Sequence, residues 1–103
     1  MFLSHSSGRT FWLGNITKAN PSGNGPRYPL VIGEVDPESL MLIKESVTVI
    51  DDLKPQDHPA PQLSNFCMHE DRESGEVAAY VPYWPLTTPE EYTGEVYRYR
   101  VEV

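Results

Sequence analysis

The chain has one cysteine, Cys67, among 103 residues, so no internal disulfide can brace it and no cysteine-based zinc site can form. Basic residues are scarce. Eight Lys and Arg stand against fifteen Asp and Glu, leaving a net charge of −7 with histidine neutral. That balance is a poor electrostatic match for a phosphate backbone, and no nucleic-acid partner is expected. No apolar run approaches the roughly 20 residues needed to span a membrane, so no membrane partner is expected either. No charged segment followed by an apolar one marks a signal peptide, which makes the cytoplasm the expected location. The histidines, His5, His58 and His69, fall at no metal-ligand spacing. No metal and no cofactor is expected. Long helical periodicity is missing as well.

What the chain does have is β-forming material for a core: 11% aromatics and many β-branched residues, enough to argue against disorder despite 10 prolines. Strand patterns recur at residues 10–16, 29–35, 40–50, 63–70, 76–84 and 94–103. The last is the clearest: Tyr97, Tyr99, Val101 and Val103 alternate with Arg98, Arg100 and Glu102, the period of a half-buried strand. Breakers separate the runs. Residues 19–26 and 54–61 are loops by their Pro and Gly content. Residues 71–75 read as a hairpin turn in which Gly75 can take a positive φ. Residues 36–40 fit a helix start or a type I turn, and the flanking strand runs favour the turn. Residues 88–92 offer one helical turn opened by Pro89.

The length suits a single domain over residues 1–103, with pseudo-repeats at about 9–51 and 62–103. The expected fold is mostly β, with two antiparallel meander sheets of three to four strands each and at most one short helical turn. Each group has the length of a propeller blade or of half a β-sandwich.

Several stretches carry a family resemblance. They are Phe11-Trp12-Leu13-Gly14-Asn15-Ile16, Asn20-Pro21, Gly23-Asn24 and Pro26-Arg27-Tyr28-Pro29-Leu30. Further along come residues 32–40, residues 47–52, Gln62-Leu63-Ser64-Asn65-Phe66 and residues 70–76. Together, over about residues 7–81, they resemble the C-terminal part of sialidase-like β-propeller proteins of the BNR-repeat type. The resemblance implies blade-like sheets and a glycan ligand. It also implies open strand edges through which copies would form a homo-oligomer. The family's Ser-x-Asp-x-Gly-x-x-Trp box is missing. Only Arg27 falls where the family would place a substrate-binding arginine, and no catalytic residue is transferred.

The expected substrate-binding residues are Arg27, Asn15, Asn24, Trp84 and Asn65. An arginine fork suits a carboxylate or sugar hydroxyls, an aromatic face suits a pyranose, and amides bind its hydroxyl groups. Against this, Arg27 can simply pair with a nearby acid. Trp12 is read as core. Tyr28, Tyr80 and Tyr83 fit either a core or a stacking role. The acids Glu70, Asp71 and Glu73, with Asp51, Asp52 and Asp57, read as solvated turns, and the alternative is glycosidase chemistry. Cys67 is read as a small buried hydrophobe. The expected function is a carbohydrate-binding or sialidase-derived β module without catalysis as an isolated chain. A small acidic protein-interaction module is the alternative, and a glycosidase assembled in an oligomer is the third reading.

Overall fold

The computed structural model describes residues 1–4, 6–55, 62–84 and 94–103. Its strands form two antiparallel sheets. The first is a meander of β1 (Phe2–Leu3), β2 (Thr10–Asn15), β3 (Leu30–Val35) and β4 (Thr48–Asp51), in that order. The second is built on β7 (Val77–Trp84). There β5 (Gln62–Leu63) and β6 (Cys67–Glu70) lie end to end along one edge, and β8 (Glu95–Val101) runs along the other. One 3-10 turn, Lys44–Ser46, is the only helical piece among the described residues. The expected helical turn at 88–92 lies outside them.

Alternation decides which side chains meet. In the first sheet Leu13 lies opposite Ile32, and Asn15 opposite Leu30. In β7 the residues Val77, Ala79 and Val81 share a face, as successive side chains of a strand point to opposite sides. Phe11, Leu13, Leu30 and Ile32 from the first sheet pack with Leu63, Val77, Ala79 and Val81 from the second into one buried cluster. Fully burying a single Val or Leu of this kind contributes about 1.5–3 kcal/mol. Phe66, Met68, Tyr99 and Val101 close its margins.

Trp12 is not in that cluster. It projects from the outer face of the first sheet, and a Cβ at Gly14 would stand 2.1 Å from its ring. The indole therefore lies flat on the Gly14 backbone, and only glycine leaves room for it. The expectation of a core Trp12 fails because alternation gives the period of a strand but not which side is sealed. Gly33 has the same function further along: a Cβ there would stand 2.8 Å from Leu42 Cδ1, so residues 42–47 close over the strand.

Two expected strands are interrupted. The run 40–50 keeps only β4, with an isolated bridge between Val35 and Leu42. Between them Ser46 Oγ accepts from the Glu34 N–H at 2.7 Å and donates to the Ile43 carbonyl at 2.7 Å. A side chain thus takes the place of the backbone ladder, and the chain turns in a 3-10 step. The run 63–70 breaks between β5 and β6, where Asn65 adopts φ 56. Asparagine tolerates that left-handed conformation, and an extended strand does not contain it.

Two turns share one construction. In residues 36–41, Asp36 N–H donates to the Met41 carbonyl and Leu40 N–H to the Asp36 carbonyl, each at 2.9 Å. In residues 71–76, Asp71 N–H donates to Glu76 at 2.8 Å and Gly75 N–H to Asp71 at 2.7 Å. Each aspartate Oδ1 also accepts backbone N–H groups inside its turn, from Glu38 and Ser39 in one and Glu73 in the other. The sequences are Asp-Pro-Glu-Ser-Leu-Met and Asp-Arg-Glu-Ser-Gly-Glu. The fifth position is left-handed in both, with φ 58 at Leu40 and φ 75 at Gly75.

Polar bridges fasten the sheets to each other. The Asn15 amide donates to the carbonyls of Arg27 (3.2 Å), Pro29 (3.1 Å) and Leu63 (3.1 Å). The Tyr99 hydroxyl donates to Asp51 at 2.5 Å. At the far end the Ser4 hydroxyl and the Ser6 N–H both donate to Glu70 Oε1, at 3.0 and 2.8 Å.

Candidate functional site

The expected binding residues gather at one end of the molecule, around β5. Arg27 makes a parallel bridge with Gln62, and Gln62 pairs with Trp84. The Arg27 guanidinium donates from Nε to the Asn24 carbonyl at 2.9 Å and from Nη1 to Ser64 Oγ at 3.2 Å. Among the described residues its partners are thus a loop carbonyl and a hydroxyl rather than an acid. Asn65 follows Ser64 and is exposed. Asn24 is exposed as well, while its carbonyl is held by Arg27. The Asn15 amide nitrogen is spent on three carbonyls, so this side chain ties the loop 24–29 to β5. Trp84 ends β7, as the strand pattern at 76–84 predicts, and its side chain lies outside the described part.

On the other side of this segment is an open pocket of about 230 Å³. Pro26, Tyr28, Pro29 and Ala19 give it an apolar wall, and Thr17, Lys18, Asn20 and Asp52 bring polar groups to it. Three pieces of the fold supply them. Residues 17–20 follow β2, residues 26–29 precede β3, and Asp52 follows β4. Tyr28 is half-buried, with part of its ring packed against the core cluster. Lys18 is exposed and forms no ion pair among the described residues. Thr17 Oγ1 donates to the Ala19 carbonyl at 2.6 Å, which fixes the start of the loop. Sequence reasoning flagged Tyr28 and Asp52 separately. It missed Thr17, Lys18 and Asn20 as their neighbours, because only the pairing of β3 with β4 brings Asp52 beside the 17–29 loop.

The acidic turn at 70–73 is at the opposite end of β7. Glu70 pairs with Val77 and Gln62 with Trp84, so about 23 Å of strand separates the Arg27 end from the Glu70 end. Within one chain Arg27 and this turn cannot share a pocket. Their chemistry differs as well. Glu70 accepts from Ser4 and Ser6. Backbone N–H groups of Glu73 and Ser74, with help from Arg100 and Arg98, hold the Asp71 carboxyl below its ordinary range. The Arg9 guanidinium does the same to Glu34, and the Ser39 N–H and hydroxyl do it to Asp36. A glycosidic general acid needs its pKa raised. These three carboxyls all move the other way. Asp57 lies outside the described residues.

The outer face of the second sheet carries Cys67, His69, Tyr80 and Arg98. The His69 and Tyr80 rings stack with centroids 5.7 Å apart, and the Arg98 guanidinium carbon lies 5.9 Å from the Tyr80 centroid. Cys67 is exposed here, against the expectation of a buried cysteine. It shares a face with His69, and that face is turned away from the core that Phe66 and Met68 join. Arg98 also pairs with Asp71 at 3.7 Å, and Arg100 Nε donates to Glu76 at 2.7 Å. No group of three or more His, Cys, Asp or Glu side chains suited to a metal occurs among the described residues. His5 and His58 lie outside them. No helix among them is long and apolar enough to cross a membrane. β4 and β8 each form one edge of their sheet, and among the described residues each pairs with a single strand. Compared with protein-family models, curated proteins and solved structures, the chain matches none.

Proposed function

We propose that this chain is a carbohydrate-binding β module, sialidase-derived and without catalysis of its own, that holds a single sugar residue in the Tyr28 pocket. The observation that carries this reading is the make-up of that pocket. One aromatic ring and two prolines of segment 26–29 form an apolar wall, while an ammonium, an amide and a hydroxyl reach it from segment 17–20 and a carboxylate from Asp52. A pyranose has the matching character, with an apolar face and a rim of hydroxyl groups. The volume, about 230 Å³, is below the range of drug-sized ligand pockets and suits one ring. Arg27 and Asn15 act here by shape: they brace the 24–29 segment that carries Tyr28.

A panel of monosaccharides titrated into isotope-labelled protein tests this reading. Amide shifts confined to residues 17–20, 27, 28 and 52 are expected with at least one sugar. Tyr28→Ala should weaken that binding by about tenfold, the cost of losing one aromatic contact. Shifts elsewhere, or none with any sugar, overturn it.

A further inference from the structure

The 36–41 turn presents Leu40 and Met41 to solvent, 70% and 68% exposed. These are two large apolar side chains on the closing side of a tight turn, where turn chemistry favours Gly, Asn, Asp and Ser. Leu40 also holds a left-handed φ of 58, which costs a β-carbon-bearing residue roughly 1–2 kcal/mol. The same molecule contains the unstrained solution, because the matching position of the 71–76 turn is Gly75. So the fold does not need leucine at this position. The turn is also rigid: Asp36 Oδ1 accepts from the N–H groups of Glu38 and Ser39 and from the Ser39 hydroxyl, and Ser39 Oγ accepts from the Met41 N–H at 3.3 Å. A strained turn whose N–H groups are all hydrogen-bonded, and which displays apolar side chains, is pre-organised for contact, with little entropy left to lose on binding. The surroundings are acidic. Residues 36–45 carry Asp36, Glu38 and Glu45 against Lys44, a net charge of −2.

We infer that the 36–41 turn is a protein-docking element, whose Leu40–Met41 pair is the apolar anchor and whose acidic rim selects a polypeptide partner with an apolar surface flanked by Lys and Arg. Charge complementarity names the partner's sign. A second copy, itself at −7, does not supply it. This inference is independent of the sugar pocket, since no residue of the turn lines it.

The probe is a short amphipathic helical peptide with a leucine stripe flanked by lysines, titrated into isotope-labelled protein. A leucine/glutamate peptide of the same pattern is the charge control. Amide shifts should concentrate in residues 36–45 with the lysine peptide and be absent with the glutamate peptide. Leu40→Gly keeps the turn's backbone conformation, and it should weaken binding by about tenfold or more, as expected for an anchor. Met41→Ser should do the same to a smaller degree. Binding that survives Leu40→Gly, shifts centred elsewhere, or equal binding of both peptides overturns the inference. Vesicles of neutral and anionic lipid form a second arm: binding to vesicles that depends on Leu40, without peptide binding, assigns the turn to lipid and also overturns it.

Discussion

The turns at 36–41 and 71–76 are two answers to one geometric problem. Both begin with an aspartate that caps the turn from within, both run Asp-x-Glu-Ser, and both require a left-handed residue at the fifth position. The second turn uses Gly75, the residue for which that conformation carries no side-chain clash. Its sixth residue is Glu76, which accepts from Arg100 and helps hold β8. The first turn puts Leu40 and Met41 in those two positions and leaves them in water. The 71–76 turn is therefore optimised for the fold it closes. The 36–41 turn keeps the same backbone at a cost in local stability, and that cost is the mark of a surface held for contact.

Exchanging the fifth residues is the most direct way to break this comparison. Gly75→Ala is expected to destabilise the protein by about 1–2 kcal/mol, read as a lower denaturant midpoint. The added Cβ would lie 3.6 Å from Ser6 Oγ, an ordinary contact, so the cost belongs to the backbone. A neutral result would mean that the turn relaxes to a different conformation and that the two turns are not equivalent. Leu40→Gly should go the other way. Relief of the left-handed leucine, less the extra chain entropy of glycine, gives a gain of about 0.5–1 kcal/mol and a higher melting temperature. A loss of stability there would show that Leu40 is packed in solution rather than displayed.

The smallest expected effect sharpens what the turns share. Asp36 and Asp71 are both held below the ordinary carboxylate range, Asp36 first by the Ser39 N–H and Asp71 first by the Glu73 N–H. A depressed folded-state pKa contributes stability above the unfolded value, near pH 4, and that stability is lost as pH falls through the folded value. Chemical denaturation between pH 6 and pH 2 should therefore show a declining midpoint below about pH 4. Asp36→Asn and Asp71→Asn should each flatten part of that decline. A slope untouched by both substitutions would place the acid sensitivity elsewhere.

Much of the framework was legible from alternation and turn chemistry. β2, β3, β7 and β8 followed their apolar periods, and the Asp71–Gly75 turn followed from glycine beside polar residues. The interruptions were not legible, because each comes from one side chain competing with the ladder: Ser46 Oγ at the Glu34 N–H, and Asn65 in a left-handed conformation. Cys67 and Trp12 were assigned to the wrong side for a related reason. A strand with apolar residues on both faces has a visible period and an invisible interior. The candidate pocket was half legible, since Tyr28 and Asp52 stood out by type but meet only through strand pairing. The docking turn was within reach of the sequence. Asp-x-Glu-Ser occurs at 36–39 and again at 71–74, and setting the two side by side exposes leucine in a glycine's place.

One contact between the sheets also sets a limit at the alkaline end. Tyr99 donates its hydroxyl to Asp51, and partial burial, then that hydrogen bond and the carboxylate's charge, push its ionisation well above the usual phenol range. A raised pKa is a contribution to stability that is complete below about pH 10 and fades as pH climbs through the folded value. This contribution lies on the seam between β8 and β4. A phenolate has no proton to donate, so ionisation of Tyr99 and loss of its bond to Asp51 are one event.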